Sequence, residues 1–138
     1  MILHLLPFET EHEYSKIRIG IEVPVNLSCG PKSVRLMAKV DTGATYCIFQ
    51  REYAEEIGID VSTGRFERFT TATGFFATFG HEVKLDCLGI TSATTVYFAA
   101  EWGFPRNVLG RVGWLNLHRI AIIDHDSLLY VSHYNDRA

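Results

Sequence analysis

The chain has 138 residues, of which 47% are hydrophobic and 21% are charged, and its formal net charge at pH 7 is −3. This length suits a single domain with its own core, and the composition is that of a soluble globular protein. The weak negative charge and the scattered basic residues give no basis for binding nucleic acid or an anionic membrane, and no stretch is long and apolar enough to span a bilayer.

The N-terminal residues form a short apolar segment, Met1 to Pro7, without a positively charged start and with acidic residues soon after it. This pattern does not indicate a signal peptide. It favours an added edge strand or a docked N-terminal arm. We therefore expect one domain over residues 1–138, with residues 1–16 as an N-terminal extension and residues 17–138 as the core.

The three cysteines, Cys29, Cys47 and Cys87, are an odd number and have no C-x-x-C spacing. They indicate reduced, packed thiols in a cytoplasmic protein. A catalytic role for Cys47 is disfavoured, because its apolar neighbours predict burial and burial raises the pKa of a thiol. The six histidines show no paired ligand spacing and no glycine-rich nucleotide motif occurs, so we expect neither a metal nor a cofactor.

The first half of the chain reads as strands and one short helix. Residues 17–25 alternate between apolar and other side chains, which predicts a strand with one buried face. A turn at Cys29–Lys32 leads into a strand from Ser33 to Val40. Residues Arg51 to Ile57 are rich in helix formers, and Gly58 is placed to end that helix.

The second half reads as hairpins. A long hairpin is expected over residues 66–90, with its turn at Ala72–Gly74, and it is followed by a strand at Thr91–Ala100. The rest divides into a loop at Trp102–Asn107, one or two helical turns within Arg111–Leu117, and a closing hairpin of Ile120–Ile123 and Leu128–Val131. Many short strands with frequent turns predict a mostly β fold, a small barrel or a sandwich.

One tetrapeptide, Asp41-Thr42-Gly43-Ala44, places a single carboxylate in a tight turn where a strand ends. A lone carboxylate there is poor chemistry. Two carboxylates about 3 Å apart share a proton, so that one can act as the base for a water molecule and the other as an acid. Two chains could supply such a pair. The alternative is a plain β-turn, since these residue types are common in turns.

Three features in order now resemble the retropepsin-like aspartic proteases. The first is Val40-Asp41-Thr42-Gly43-Ala44 with Ile48-Phe49 beyond it, and the second is the hairpin around Thr73-Gly74-Phe75, which is similar to that family's flap. The third is Val108-Leu109-Gly110, which is similar to the element that packs beneath the active-site turn. Together with the closing hairpin, the resemblance covers about residues 34 to 131.

The resemblance implies a mostly β, closed, pepsin-like barrel with one or two short helices and one half-site per chain. It implies a homodimer in which Asp41 of each chain forms the catalytic pair, Thr42 braces the two turns, and Gly43 and Ala44 line the cleft. The hairpin residues 70–79, including Thr73, Gly74 and Phe75, would close over an extended peptide. Side chains that could line pockets, or could equally belong to the core, are Phe75, Phe76 and Val108.

The function that follows is an aspartic endopeptidase acting on an extended peptide or protein substrate. Some features depart from the family pattern: a large ring, Tyr46, lies near the turn, the hairpin tip has one central glycine, Gly74, and residues 1–16 have no counterpart in the smallest members. The first alternative is therefore a catalytically idle peptide-binding or dimerisation module of the same fold. The second is an unrelated small β-barrel with a chance Asp-Thr-Gly turn.

Overall fold

The computed structural model describes residues 1–135, which form ten strands, one α-helix and three short 3-10 helices. In chain order the strands and the α-helix are β1 Thr10–Glu13, β2 Glu22–Cys29, β3 Lys32–Val40, β4 Ile48–Phe49, α1 Arg51–Glu56, β5 Arg65–Thr71, β6 Gly74–Cys87, β7 Ile90–Ala99, β8 Val108–Leu109, β9 His118–Ile123 and β10 Leu128–His133. The 3-10 helices are Val61–Thr63, Leu115–Leu117 and Asp124–Asp126.

Seven strands form the main sheet, in the order β2-β3-β8-β4-β7-β6-β5. An additional antiparallel pairing between β2 and β6, with Leu27 opposite Leu85, closes six of these strands into a ring. The inward positions alternate along β2 and β3, as period two requires. They bury Val23, Val25 and Leu27 of β2 completely. The predicted mostly β, closed architecture is therefore confirmed.

A second sheet has the order β1-β10-β9 and ties the N-terminal extension to the end of the chain. Strand β1 pairs with β10, with Thr10 opposite Val131. Just before β1, the Arg119 guanidinium donates hydrogen bonds to the Pro7 carbonyl, and the Phe8 ring lies 5.7 Å from the Tyr130 ring. The extension thus supplies the expected added edge strand.

The strand predicted over residues 17–25 is wrong in its first half. Strand β2 begins at Glu22, and the side chains of Ile17 and Ile19 are 95% and 88% exposed. The Ile21 carbonyl accepts a hydrogen bond from Val40, the last residue of β3. Because β3 ends there, residues before Ile21 have no strand beside them, and alternation alone cannot make a strand without a partner.

Of the two predicted helical segments, the first is confirmed and the second is shorter than predicted. Helix α1 covers Arg51–Glu56, and Gly58 follows it with φ +81°, the left-handed conformation that ends helices. The predicted helical turns within Arg111–Leu117 reduce to one 3-10 turn, Leu115–Leu117. Residues 111 and 112 cannot join it, because Gly113 has φ +107° and Trp114 has φ −143°, both outside the helical region.

The cysteines do not all pack as predicted. Cys47 and Cys87 are completely buried, whereas Cys29, the last residue of β2, is exposed. Its position explains the error, since Cys29 lies at the strand end next to the surface turn of residues 30 and 31, beyond the core. None of the helices in residues 1–135 is long and apolar enough to cross a membrane.

Candidate active site

The candidate site is built around Asp41, the residue immediately after β3. Its backbone N–H donates to the Leu109 carbonyl at 3.0 Å, so β8 continues its pairing with β3 into the turn. The Gly43 N–H donates to Asp41 Oδ1 at 2.9 Å, and the Ala44 N–H donates to the Asp41 carbonyl at 3.2 Å. These bonds fix both the turn and the direction of its half-buried carboxylate.

The segment after β8 supports the far side of the turn. The Arg111 and Val112 N–H groups donate to the carbonyls of Ala44 and Thr45 at 2.9 and 2.7 Å. Between them and β8 lies Gly110, where an added Cβ would come within 2.6 Å of the Tyr46 carbonyl carbon and 2.8 Å of the Ala44 oxygen. The two segments approach this closely only because residue 110 has no side chain.

The Cys47 thiol lies beneath the turn and is not a nucleophile. Its sulfur accepts a hydrogen bond from the Gly110 N–H at 3.4 Å, and the thiol faces the Gly110 carbonyl at 4.0 Å. Burial raises the pKa of Cys47 to about 12, although the Gly110 hydrogen bond opposes the shift. A thiol that remains protonated at neutral pH serves here as packing.

The hairpin of β5 and β6 projects beyond the body of the sheet. Strand β6 pairs with β7 only from Thr78 onward, where Thr78 lies opposite Ala99. Beyond that point the hairpin is a two-stranded ribbon that ends in the turn Thr71–Gly74. The Thr71 hydroxyl donates to the Gly74 carbonyl at 3.2 Å, and Gly74 has φ +146°, which favours glycine.

Aromatic rings join the hairpin to the turn. The Tyr46 ring lies 4.9 Å from Tyr97 and 5.4 Å from Phe69 on β5. Phe69 lies opposite Phe76, with ring centroids 5.5 Å apart, and Phe76 lies 5.0 Å from Phe104. We call Tyr46, Phe69, Phe76 and Phe104 the aromatic row.

A cleft of about 630 Å³ lies between the Asp41 turn and the hairpin. Six of the residues predicted from sequence as site or pocket-lining residues line this cleft. They are Asp41, Gly43, Ala44, Thr73, Phe76 and Val108. Among the described lining residues only Asp41 and Arg106 carry charge. The cleft thus contains one carboxylate, which it shares with the aromatic row.

The other predicted residues lie elsewhere. Leu109 and Gly110 are buried beneath the turn, and Thr42 is exposed at its apex. Gly74 is at the hairpin tip outside the cleft lining, next to Phe75, which is 63% exposed. The Phe75 ring packs under the Arg68 guanidinium at 4.2 Å, on the face of the hairpin opposite Phe76. Phe75 therefore belongs to neither the cleft nor the core.

Sequence reasoning missed several cleft residues, namely Phe69, Phe104, Pro105 and Arg106. The loop at residues 102–107 was predicted only as a connection. The available signal was that this loop leads directly into Val108. A loop that enters the element packed against the Asp41 turn must pass beside the cleft. Within residues 1–135 no group of three histidine, cysteine or acidic side chains is placed to hold a metal ion.

Comparison with known proteins now adds to this geometry. Residues 23–100, more than half of the chain, match the family model described as Aspartyl protease. The chain belongs to this aspartyl protease family. The matched range contains the Asp41 turn and the whole β5–β6 hairpin. No curated protein matches the chain.

Solved structures support the same fold for this family member. A retropepsin-like aspartic protease from Rickettsia conorii superposes with a TM-score of 0.63 at 17% identity, over 88% of this chain and 96% of that one. The EIAV protease complexed with the inhibitor HBY-793 superposes with a TM-score of 0.54 at 19% identity, over 70% of this chain and 86% of that one. The retropepsin-like fold predicted from the motifs is confirmed.

Proposed function

We propose that this protein is a homodimeric aspartic endopeptidase that hydrolyses extended peptide or protein segments in the cytoplasm. The observation that carries the proposal is the cleft itself. One fixed carboxylate, Asp41, lies on its floor, and no second carboxylate is among its described lining residues. A second copy of the chain would supply the missing partner.

The chemistry requires the two Asp41 carboxyl groups to share one proton. The ionised carboxylate takes a proton from a water molecule, and the protonated partner gives its proton to the carbonyl oxygen of the peptide. The Gly43 N–H, at 2.9 Å from Asp41 Oδ1, would hold each carboxyl group in the plane of the pair. Thr42, exposed at the apex of the turn, is the side chain proposed to brace the two turns.

The substrate would lie extended between the Asp41 turn and the hairpin. An extended peptide can pair with strand-like backbone at the hairpin tip, where Thr73 lines the cleft and Gly74 and Phe75 follow. Its alternating side chains would meet the aromatic row on one side and Val108 on the other. This arrangement predicts a preference for apolar side chains at alternate positions.

The test is the substitution Asp41→Asn, assayed with quenched fluorescent peptides of randomised extended sequence between pH 4 and 7. Loss of acid–base chemistry is expected to lower kcat/KM by about 10²- to 10⁴-fold. Asp86→Asn is the matched control, because Asp86 bonds the Thr91 hydroxyl and is not among the lining residues of the cleft. Cleavage that persists in Asp41→Asn would refute the Asp41 pair.

Light scattering across a dilution series separates this proposal from its alternative. Each protomer holds half of the site, so activity should fall with the dimer fraction as the protein is diluted. A stable dimer that binds peptides without cleaving them would instead identify the idle binding module. A monomer that cleaves at all dilutions would contradict the shared site.

A further inference from the structure

Arg106 stands next to the reaction site although it is far from Asp41 in the sequence. It lines the cleft of about 630 Å³ and also a neighbouring hollow of about 370 Å³. Asp41, Pro105 and Val108 are the residues that line both spaces with it. The Arg106 side chain therefore lies where the two cavities meet beside the active-site carboxylate.

The backbone beside Arg106 is held firmly. The Asn107 carbonyl accepts from the Lys39 N–H at 2.9 Å, which joins the loop to β3. The Asn107 side chain accepts from the Gln50 N–H at 3.0 Å and donates to the Gln50 side-chain oxygen at 2.9 Å. Binding an anion at Arg106 would therefore order the arginine side chain without also having to order the loop.

The charge of Arg106 is not engaged by the protein itself. Among residues 1–135, no hydrogen bond or ion pair reaches its guanidinium, and the side chain is exposed. Arg51 shows the contrast, since it contacts both Glu55 and the Ala100 carbonyl. In the neighbouring hollow Glu22 and Lys39 carry opposite charges. Arg106 is therefore a cation available to a ligand in the cleft.

From this placement we infer that Arg106 selects peptides that carry a glutamate or aspartate side chain close to the scissile bond. The inference rests on the proposed function, and it specifies the substrate class of the same cleft. A guanidinium binds a carboxylate through two parallel hydrogen bonds, whereas an amide side chain lacks the charge. A symmetric dimer brings two Arg106 side chains, so acidic residues are favoured on both sides of the bond.

The experiment uses pairs of quenched peptides that differ only in Glu against Gln at one position near the scissile bond. The wild-type protein should cleave the Glu peptide about three- to tenfold better at low salt, the range for a partly screened charged hydrogen bond. The advantage should shrink towards unity at about 0.5 M salt, where screening is strong.

Three variants test whether Arg106 causes the preference for the Glu peptide. Arg106→Gln should lose the preference for Glu, and Arg106→Lys should keep part of it. Arg35→Gln is the matched control, because Arg35 is also exposed, lies on β3 and lines neither cavity. It should keep the full preference. Equal cleavage of both peptides by the wild type, or an unchanged preference in Arg106→Gln, would overturn the inference.

Binding to the Asp41→Asn variant separates this inference from the proposed function. Fluorescence anisotropy with the same peptide sequences, labelled with a fluorophore but no quencher, should show tighter binding of Glu than Gln, and this difference should vanish in the double variant with Arg106→Gln. If no peptide is cleaved by the wild type yet the binding difference is present, the proposed function fails and the selectivity stands. If peptides are cleaved without any binding or rate difference, only the selectivity fails.

Discussion

The Asp41 turn and the tip of the β5–β6 hairpin face each other across one cleft but are held very differently. The turn donates a backbone hydrogen bond to β8 and accepts two from residues 111 and 112, and a buried thiol lies below it. Among the described residues, the tip is held by its own two-stranded ladder, the Thr71 hydrogen bond and the contacts of the aromatic row. The pair of Asp41 carboxylates that we propose needs the first kind of support, and the hairpin that we propose to close over a substrate needs the second.

Thiol reactivity should give the largest difference between the two regions. A pKa near 12 in place of 9 lowers the thiolate fraction of Cys47 about a thousandfold at pH 8, and burial slows its alkylation further. A cysteine introduced at the exposed hairpin position by Thr73→Cys should react as fast as Cys29. Iodoacetamide labelling followed by mass spectrometry measures each site. Comparable rates at positions 47 and 73 would contradict the proposed contrast.

Alanine in place of glycine tests the same contrast through stability. Gly110→Ala would place a Cβ against the Tyr46 backbone and should lower the free energy of unfolding by about 3 kcal/mol or more, since neither segment can move alone. Gly74→Ala is the matched variant. Nothing lies within 4 Å of its added Cβ, so only the strain at φ +146° remains, about 1–2 kcal/mol. Urea unfolding gives both values, and equal losses would show that the turn is no more constrained than the tip.

Tyr46→Ala should have a smaller effect on stability. This effect should reach both the Asp41 turn and the β5–β6 hairpin. The Tyr46 ring is half-buried between Tyr97 and Phe69, so its loss should cost about 2 kcal/mol, below the range for a fully buried ring. Amide exchange should quicken in β5 and in residues 74–77 of β6. Tyr46→Phe keeps the ring and should leave exchange nearly unchanged. If exchange in the hairpin does not respond to Tyr46→Ala, the aromatic row does not couple the two regions.

Much of the fold was predictable because its signals are local. Period two identified β3 and the long hairpin, and helix formers before Gly58 identified α1. The Asp41 turn was also placed correctly after its strand. The prediction failed at Ile17 and Ile19, where the same periodicity continues past the end of the partner strand. A periodic pattern records which faces could be buried, and only pairing decides whether a strand exists.

The sequence by itself determined the position of the carboxylate, its turn and the family. Only the tertiary structure decided which residues surround that carboxylate. The register of β5 and β6 places Phe76 in the cleft and Phe75 outside it, although the two are adjacent and identical in type. The Asn107 hydrogen bonds to Lys39 and Gln50 bring Arg106 beside Asp41. Such neighbours come from chain segments far apart in sequence, so no local pattern specifies them.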